Sequence, residues 1–268
     1  MNRDSRKIIP IFIGMNLYKL PLVLLLFLCF FSGTVFAQSA QQIEADLLTS
    51  FKKIDPAYED NTNANDSFAK KLYDYTANNP STILYPFSGL RRAHVDINTS
   101  DDSLFRIYSW DTWTGGTMHF FESVFQYRSG NQIYAVLDTP KTEGDVRPWY
   151  NKLYTLKTAA KTYYLAVNTD IGSTKDLGGS IQVFDIENGK LNDSVKLIKT
   201  RSGLHSDLSF ECDFSKSAGK LTPETYPSIK YDALTQTIHF PLVLANGAAT
   251  NKQITYKFTG QYFERVKN

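Results

Sequence analysis

Residues 106–123 read RIYSWDTWTGGTMHFFES, a stretch in which two carboxylates, a histidine and two tryptophans flank a Gly-Gly pair. Two β-rich arms around Gly115-Gly116 spell a hairpin, and a two-residue turn there pairs Thr114 with Thr117. In that register Asp111 and Glu122 are diagonal neighbours on one face, shared with Phe105, Ile107, Ser109, Trp113, Met118, Phe120 and Val124. Two carboxylates at cross-strand diagonal distance could act as the acid and nucleophile of a retaining glycosidase, which makes Asp111 and Glu122 the candidate catalytic pair. The other face carries Tyr108, Trp110 and Thr112 beside His119, Phe121 and Ser123. Tyr108, Trp110 and His119, with Trp113 at the tip, are candidate ligand-binding residues for a sugar ring or an apolar ligand. This register parts the carboxylates from His119 and Trp110, so it disfavours a single acid–histidine centre. A simpler reading stands beside both: the rings fill a core and the polar residues sit at its solvated end.

The rest of the chain offers weaker chemistry. His94, His119, His205 and His239 lie far apart with no zinc-ligand spacing, and no cysteine pair accompanies them. Asn168–Asp176 (NTDIGSTKD) alternates oxygen-bearing residues around a glycine, as a calcium loop does. It lacks the full calcium pattern, and a polar inter-strand loop explains it as well. GLHSD (203–207) sets histidine, serine and aspartate side by side, whereas a triad is assembled from separate elements. No nucleophile elbow, phosphate loop or dinucleotide fingerprint occurs, so no cofactor and no metal is expected.

Three segments must position these residues. Arg3, Arg6, Lys7 and Lys19 precede the twelve-residue apolar run Leu20–Phe31, and SGTVFAQ follows. That is the pattern of a secretory signal peptide over 1–37, cleaved after Ala37. The run is short of the roughly 20 apolar residues that a membrane span needs, so no transmembrane segment is expected after cleavage. MNLYKLPLVLLLF is a complete leader by itself, which makes Met15 an alternative start. Cys29 lies inside the apolar run without the small residues of a lipoprotein site.

Residues 38–80 read as a short helical hairpin. Ile43, Leu47, Leu48, Phe51 and Ile54 recur at helical spacing before Pro56, and Phe68, Leu72 and Tyr75 form a second stripe. A polar link, AYEDNTNAND, joins them. From Ser81 to the C-terminus the period becomes two, in about ten to twelve short β-branched and aromatic segments. Turn signals separate them, including Asn-Gly at 188–189 and 246–247. The expected class is mainly β: a meandering antiparallel sheet, β-sandwich or open barrel over 81–268. An α+β fold with one strongly curved sheet and a small propeller are the alternatives. In DLSFECDFS, Leu208, Phe210, Cys212 and Phe214 share one side, which places Cys212 in a core as a small hydrophobe.

The 29 basic and 27 acidic residues of the whole chain lose four and one, respectively, with the leader. That leaves a net charge of −1 and no electrostatic case for nucleic acid or an anionic membrane.

The segments LFRIYSWDTWTGGTMHFFESVFQY, WYNKLYTLK, KTYYLAVNTDIGSTKDLGGSIQVFDIENGKL and ITYKFTGQYFERV, spanning roughly 103–266, resemble a group of uncharacterised secreted proteins of Gram-negative bacteria. The resemblance implies an exported β-rich domain and no particular chemistry. Three functions are therefore weighed. The first is a non-catalytic periplasmic or envelope domain that binds a small molecule, glycan or envelope protein. The second is a hydrolase of glycan or another envelope polymer using Asp111 and Glu122. The third is a structural partner that docks another protein through its helical hairpin.

Overall fold

A computed structural model of the chain describes residues 39–57, 61–138, 145, 147–216 and 226–267. The leader expected over 1–37 lies outside the described residues. Two helices come first. In α1 (Ala40–Phe51) the Ser39 hydroxyl accepts from the Gln42 amide at 3.2 Å while the Gln42 side chain accepts from the Ser39 amide, a reciprocal cap that fixes the helix start. Helix α2 (Thr62–Asn78) begins within the segment that reads as a polar link, because its first turn, Thr-Asn-Ala-Asn, carries no apolar stripe. A 3-10 turn (Pro80–Ile83) and the short helix α3 (Ser88–Arg92) lead into the strands.

Strands β1 (Asp96–Thr99), β2 (Phe105–Asp111), β3 (Phe121–Ser129) and β4 (Gln132–Asp138) form one antiparallel sheet in that order. A second sheet follows with β5 (Trp149–Lys157), β6 (Thr162–Ile171), β7 (Asp176–Glu187) and the short β8 (Lys190–Asn192). The chain then leaves it for β9 (Ile198–Thr200) and β10 (Gly203–His205), and comes back to pair β11 (Asp207–Asp213) with β7. The remaining strands, β12 (Lys230–Asp232), β13 (Thr237–Val243), β14 (Ala249–Phe258) and β15 (Phe263–Arg265), complete a third sheet ordered β10-β9-β15-β14-β13-β12. Asn188 and Gly189 both adopt positive φ (52° and 78°) between the paired residues Glu187 and Lys190, as an Asn-Gly hairpin turn requires. The meander expected from sequence is broken twice: β11 returns to β7, and β9 runs parallel to β15.

The architecture is mainly β, with open stacked sheets rather than one curved sheet or a propeller. Three apolar layers hold it together. Ile43, Leu47, Phe68 and Leu72 of the helices cover Tyr108, Trp110 and Val124 on one face of the first sheet. The opposite face packs Phe105, Ile107 and Phe125 against Tyr150, Tyr164 and Phe184 of the second sheet. Leu165, Val167, Ile181 and Val183 then meet Ile238, Tyr256 and Phe263 of the third. Strands β2 and β6 are thus covered on both faces, which is why FRIYSW and YLAV lack a polar alternation. Among the described residues no helix is long and apolar enough to cross a membrane.

Cys212 lies in the third apolar layer, and its thiol donates to the Leu177 carbonyl at 3.3 Å. Burial pushes its pKa up to about 11. A thiolate is the reactive form, so an aqueous maleimide at neutral pH should leave native protein unlabelled and react once denaturant is added. Rapid labelling of the native protein would contradict this placement.

Candidate functional site

Strands β2 and β3 pair Phe105 with Tyr127, Ser109 with Ser123 and Asp111 with Phe121. This is one residue away from the register of a two-residue Gly-Gly turn. The ladder ends at Thr112, whose amide bonds the Phe120 carbonyl at 2.9 Å, and residues 113–119 leave it as a loop. A one-residue slip exchanges the faces of one strand. Asp111 and Glu122 consequently lie on opposite faces of the first sheet, and the expected diagonal carboxylate pair is not formed.

Glu122 instead shares the helix-covered face with Trp110, its direct cross-strand partner. Its Oε1 accepts from Arg147 at 3.0 Å, and Oε2 is buried with no hydrogen-bond partner among the described residues. Burial raises its pKa, with the Arg147 guanidinium opposing that shift. Tyr108 and Trp110 are 0% and 1% exposed. The Tyr108 hydroxyl donates to Gln126 Oε1 at 2.9 Å, while the Trp110 indole N–H donates to Asn65 Oδ1 at 3.1 Å and meets Phe68 edge-on. Both rings are core, so the platform expected from Tyr108 and Trp110 is corrected.

The same slip brings Asp111 to His119. Asp111 Oδ2 lies 2.5 Å from His119 Nδ1, and its Oδ1 accepts from the Trp113 amide at 2.9 Å. One carboxylate thus orients both remaining candidates. Trp113 sits at φ 52°, a left-handed backbone that a bulky residue adopts only when its surroundings impose it, and its side chain is among the exposed large hydrophobics at 41%. The imposing contacts come from other elements. Asn65 Nδ2 donates to the Thr112 carbonyl at 2.7 Å, Asn61 Nδ2 to the Trp113 carbonyl at 3.3 Å, and the His119 amide to the Ile171 carbonyl of β6 at 3.0 Å. Gly115 passes so close to the Met118 carbonyl that a Cβ there would lie 2.0 Å from its oxygen.

The rings form a row. Trp113 meets His119 edge-on at 5.8 Å, His119 stacks on Phe121 at 6.2 Å, and Phe121 stacks on Trp149 at 6.1 Å. The Trp149 indole N–H donates to Asp96 at 2.6 Å, which closes the inner end. At the outer end the imidazole meets Trp113, and Met118, its neighbour in the chain, is exposed as well. With Nδ1 held by Asp111, His119 keeps Nε2 for one further hydrogen bond. The nearby Thr112 and Thr114 hydroxyls bond each other at 2.8 Å. The corner therefore offers an apolar floor and one oriented polar atom, a combination suited to holding a ring-shaped ligand.

Other candidate features resolve into turns. Asn168 Oδ1 accepts from the Ser180 amide and hydroxyl, and Ser173 bonds Asp176, so NTDIGSTKD is the paired end of β6, a four-residue turn and the first residue of β7. His205 Nε2 contacts the Ser202 hydroxyl at 2.9 Å within the β9–β10 hairpin. Among the described residues no three His, Cys, Asp or Glu side chains gather as a metal site.

Asp170, at the end of β6, is pushed up to about 6 by burial first and then by Glu211 and Asp145. A raised native pKa means the folded state holds the proton more tightly than the unfolded chain. The stability it contributes is complete below about pH 4 and lost as pH rises through about 6. Asp170→Asn should raise the melting temperature at neutral pH, and that gain should vanish near pH 4 in pH-resolved thermal unfolding.

The functional residues that sequence reasoning missed are Asn61 and Asn65. Both fall in the stretch that reads as a polar link, and no local signal marks either as a contact to a loop some 50 residues away. No protein-family model matches the chain, and no curated protein matches it in sequence.

Proposed function

We propose that this is a non-catalytic binding domain, exported to the periplasm or cell envelope, that docks a ring-bearing ligand on the corner formed by Trp113 and His119. Export is supported by the basic leader and apolar run before Gln38. The observation that carries the binding reading is the double use of Asp111, which holds the backbone amide of the exposed Trp113 through Oδ1 and the His119 imidazole through Oδ2. Holding a tryptophan in a left-handed backbone costs on the order of 1–3 kcal/mol. A core contact would not repay that cost here, because the Trp113 side chain faces solvent.

The test is a screen of soluble glycans and aromatic metabolites on purified protein, read by thermal shift and then by titration calorimetry. Trp113→Ala should weaken any ligand found by about tenfold or more, as loss of an aromatic anchor does. His119→Ala should weaken it severalfold, and Leu234→Ala, at an exposed turn far along the chain, should leave it unchanged. A ligand that binds both Trp113→Ala and His119→Ala with wild-type affinity would refute this site.

A further inference from the structure

Strand β4, Gln132–Asp138 (QIYAVLD), is an edge of the first sheet. Ser129 and Gln132 flank the two-residue loop Gly130-Asn131 and pair with each other. The closing pair of such a hairpin exchanges both backbone hydrogen bonds, and inward pairing then alternates along the strand. Gln132, Tyr134, Val136 and Asp138 are spent on β3. Ile133, Ala135 and Leu137 aim their amides and carbonyls outward, and these six groups make no hydrogen bond among the described residues.

Sheet edges are ordinarily blunted by shortness, charge, proline or a bulge. The other edges follow that rule. Strands β10 and β12 have three residues each, β1 has four and includes Asp96, and β11 carries Asp207, Glu211 and Asp213. Strand β5 has a register shift between Tyr150 and Lys152. Strand β4 has seven residues, no bulge, and no charge before its last position. Val136 in its middle is 41% exposed.

The residue pattern of β4 selects the occupant. When two copies of the strand run antiparallel about a two-fold axis at Ala135, Ala135 faces Ala135, Tyr134 of one copy faces Val136 of the other, and Ile133 faces Leu137. All six outward groups of each copy then find partners. Gln132 faces Asp138, so no like charges are opposed, and each exposed Val136 gains Tyr134 of the other copy as its direct cross-strand neighbour. We infer that β4 is a homodimerisation edge, joining the first sheets of two copies of this chain into one eight-stranded sheet about an isologous two-fold.

The test is the solution mass by analytical ultracentrifugation across a dilution series of the purified protein. The wild type should sediment as a dimer at tens of micromolar and dissociate on dilution. Val136→Lys places a charge on an exposed edge position, and Ala135→Pro removes an outward-facing amide, which an edge strand tolerates. Both variants should be monomeric with unchanged circular dichroism. Hydrogen exchange on the wild type reads the same surface without mutation: the Ile133, Ala135 and Leu137 amides should be protected at high concentration and exposed at low. A wild type that stays monomeric throughout, amides whose protection ignores concentration, or a dimer that persists in either folded variant would overturn the proposal.

Discussion

Phe105→Ala is expected to lower the unfolding free energy by about 3–5 kcal/mol, the cost of deleting a large ring from a packed core. Phe105 is fully buried and sits between the first two sheets, with Phe125, Tyr164 and Phe184 around it at centroid distances of 5.4–6.1 Å. These partners come from both sheets, so no single strand can move inward to fill the space without breaking its own ladder. The loss should appear as a lower denaturant midpoint with little change in slope. Phe105→Leu, which keeps much of the volume, should cost less than half as much. Equal effects of the two substitutions would mean that the layer is loosely packed.

Asn65→Leu is expected to cost about 2–6 kcal/mol, because it strands two buried polar groups at roughly 1–3 kcal/mol each. Asn65 is 2% exposed, accepts from the Trp110 indole N–H at 3.1 Å and donates to the Thr112 carbonyl at 2.7 Å. Leucine matches its size and meets neither need. Asn65→Ala opens room for a water that can bridge the two groups, so it should be the milder change although it removes more atoms. Chemical denaturation of both variants checks that order. Asn65 also anchors the start of the 113–119 loop, so the folded Asn65→Ala protein should lose affinity for a Trp113-dependent ligand. Asp185, buried with Oδ2 on Lys161 and Oδ1 without a hydrogen-bond partner among the described residues, makes a contrast. It tolerates an unmet oxygen because its charge is already paired.

Much of the scaffold is legible in the chain. Ile43, Leu47 and Phe51 spell a helix by their spacing alone, and Asn188-Gly189 spells a hairpin because few other residues accept positive φ twice in succession. The alternation in DLSFECD places Cys212 inside, since a strand has only two faces. The change of period read at Ser81 comes early, because a 3-10 turn (Pro80–Ile83) and α3 (Ser88–Arg92) still precede the first strand at Asp96. These features depend on neighbours within a few residues, and such neighbours are visible in sequence.

The site depended on a single unit of register. TWTGGTMH satisfies the rules of a two-residue turn, and nothing inside it disfavours one. The longer loop wins because Asn61, Asn65 and Ile171 supply hydrogen bonds to it from two other elements. That shift carried Glu122 to the face of Trp110 and set Asp111 against His119, while the two helices buried Tyr108 and Trp110 by covering their face of the sheet. The sequence by itself determined two helical stripes ahead of a mainly β remainder, the Asn188-Gly189 hairpin turn, and that the middle of the chain concentrates rings and acids. Only the tertiary structure decided which of those rings face water and which acid meets the histidine. Side chains alternate with a period of two, so one residue of slip reverses every assignment of one strand relative to its partner, and the contacts that settle it come from residues some 50 positions away.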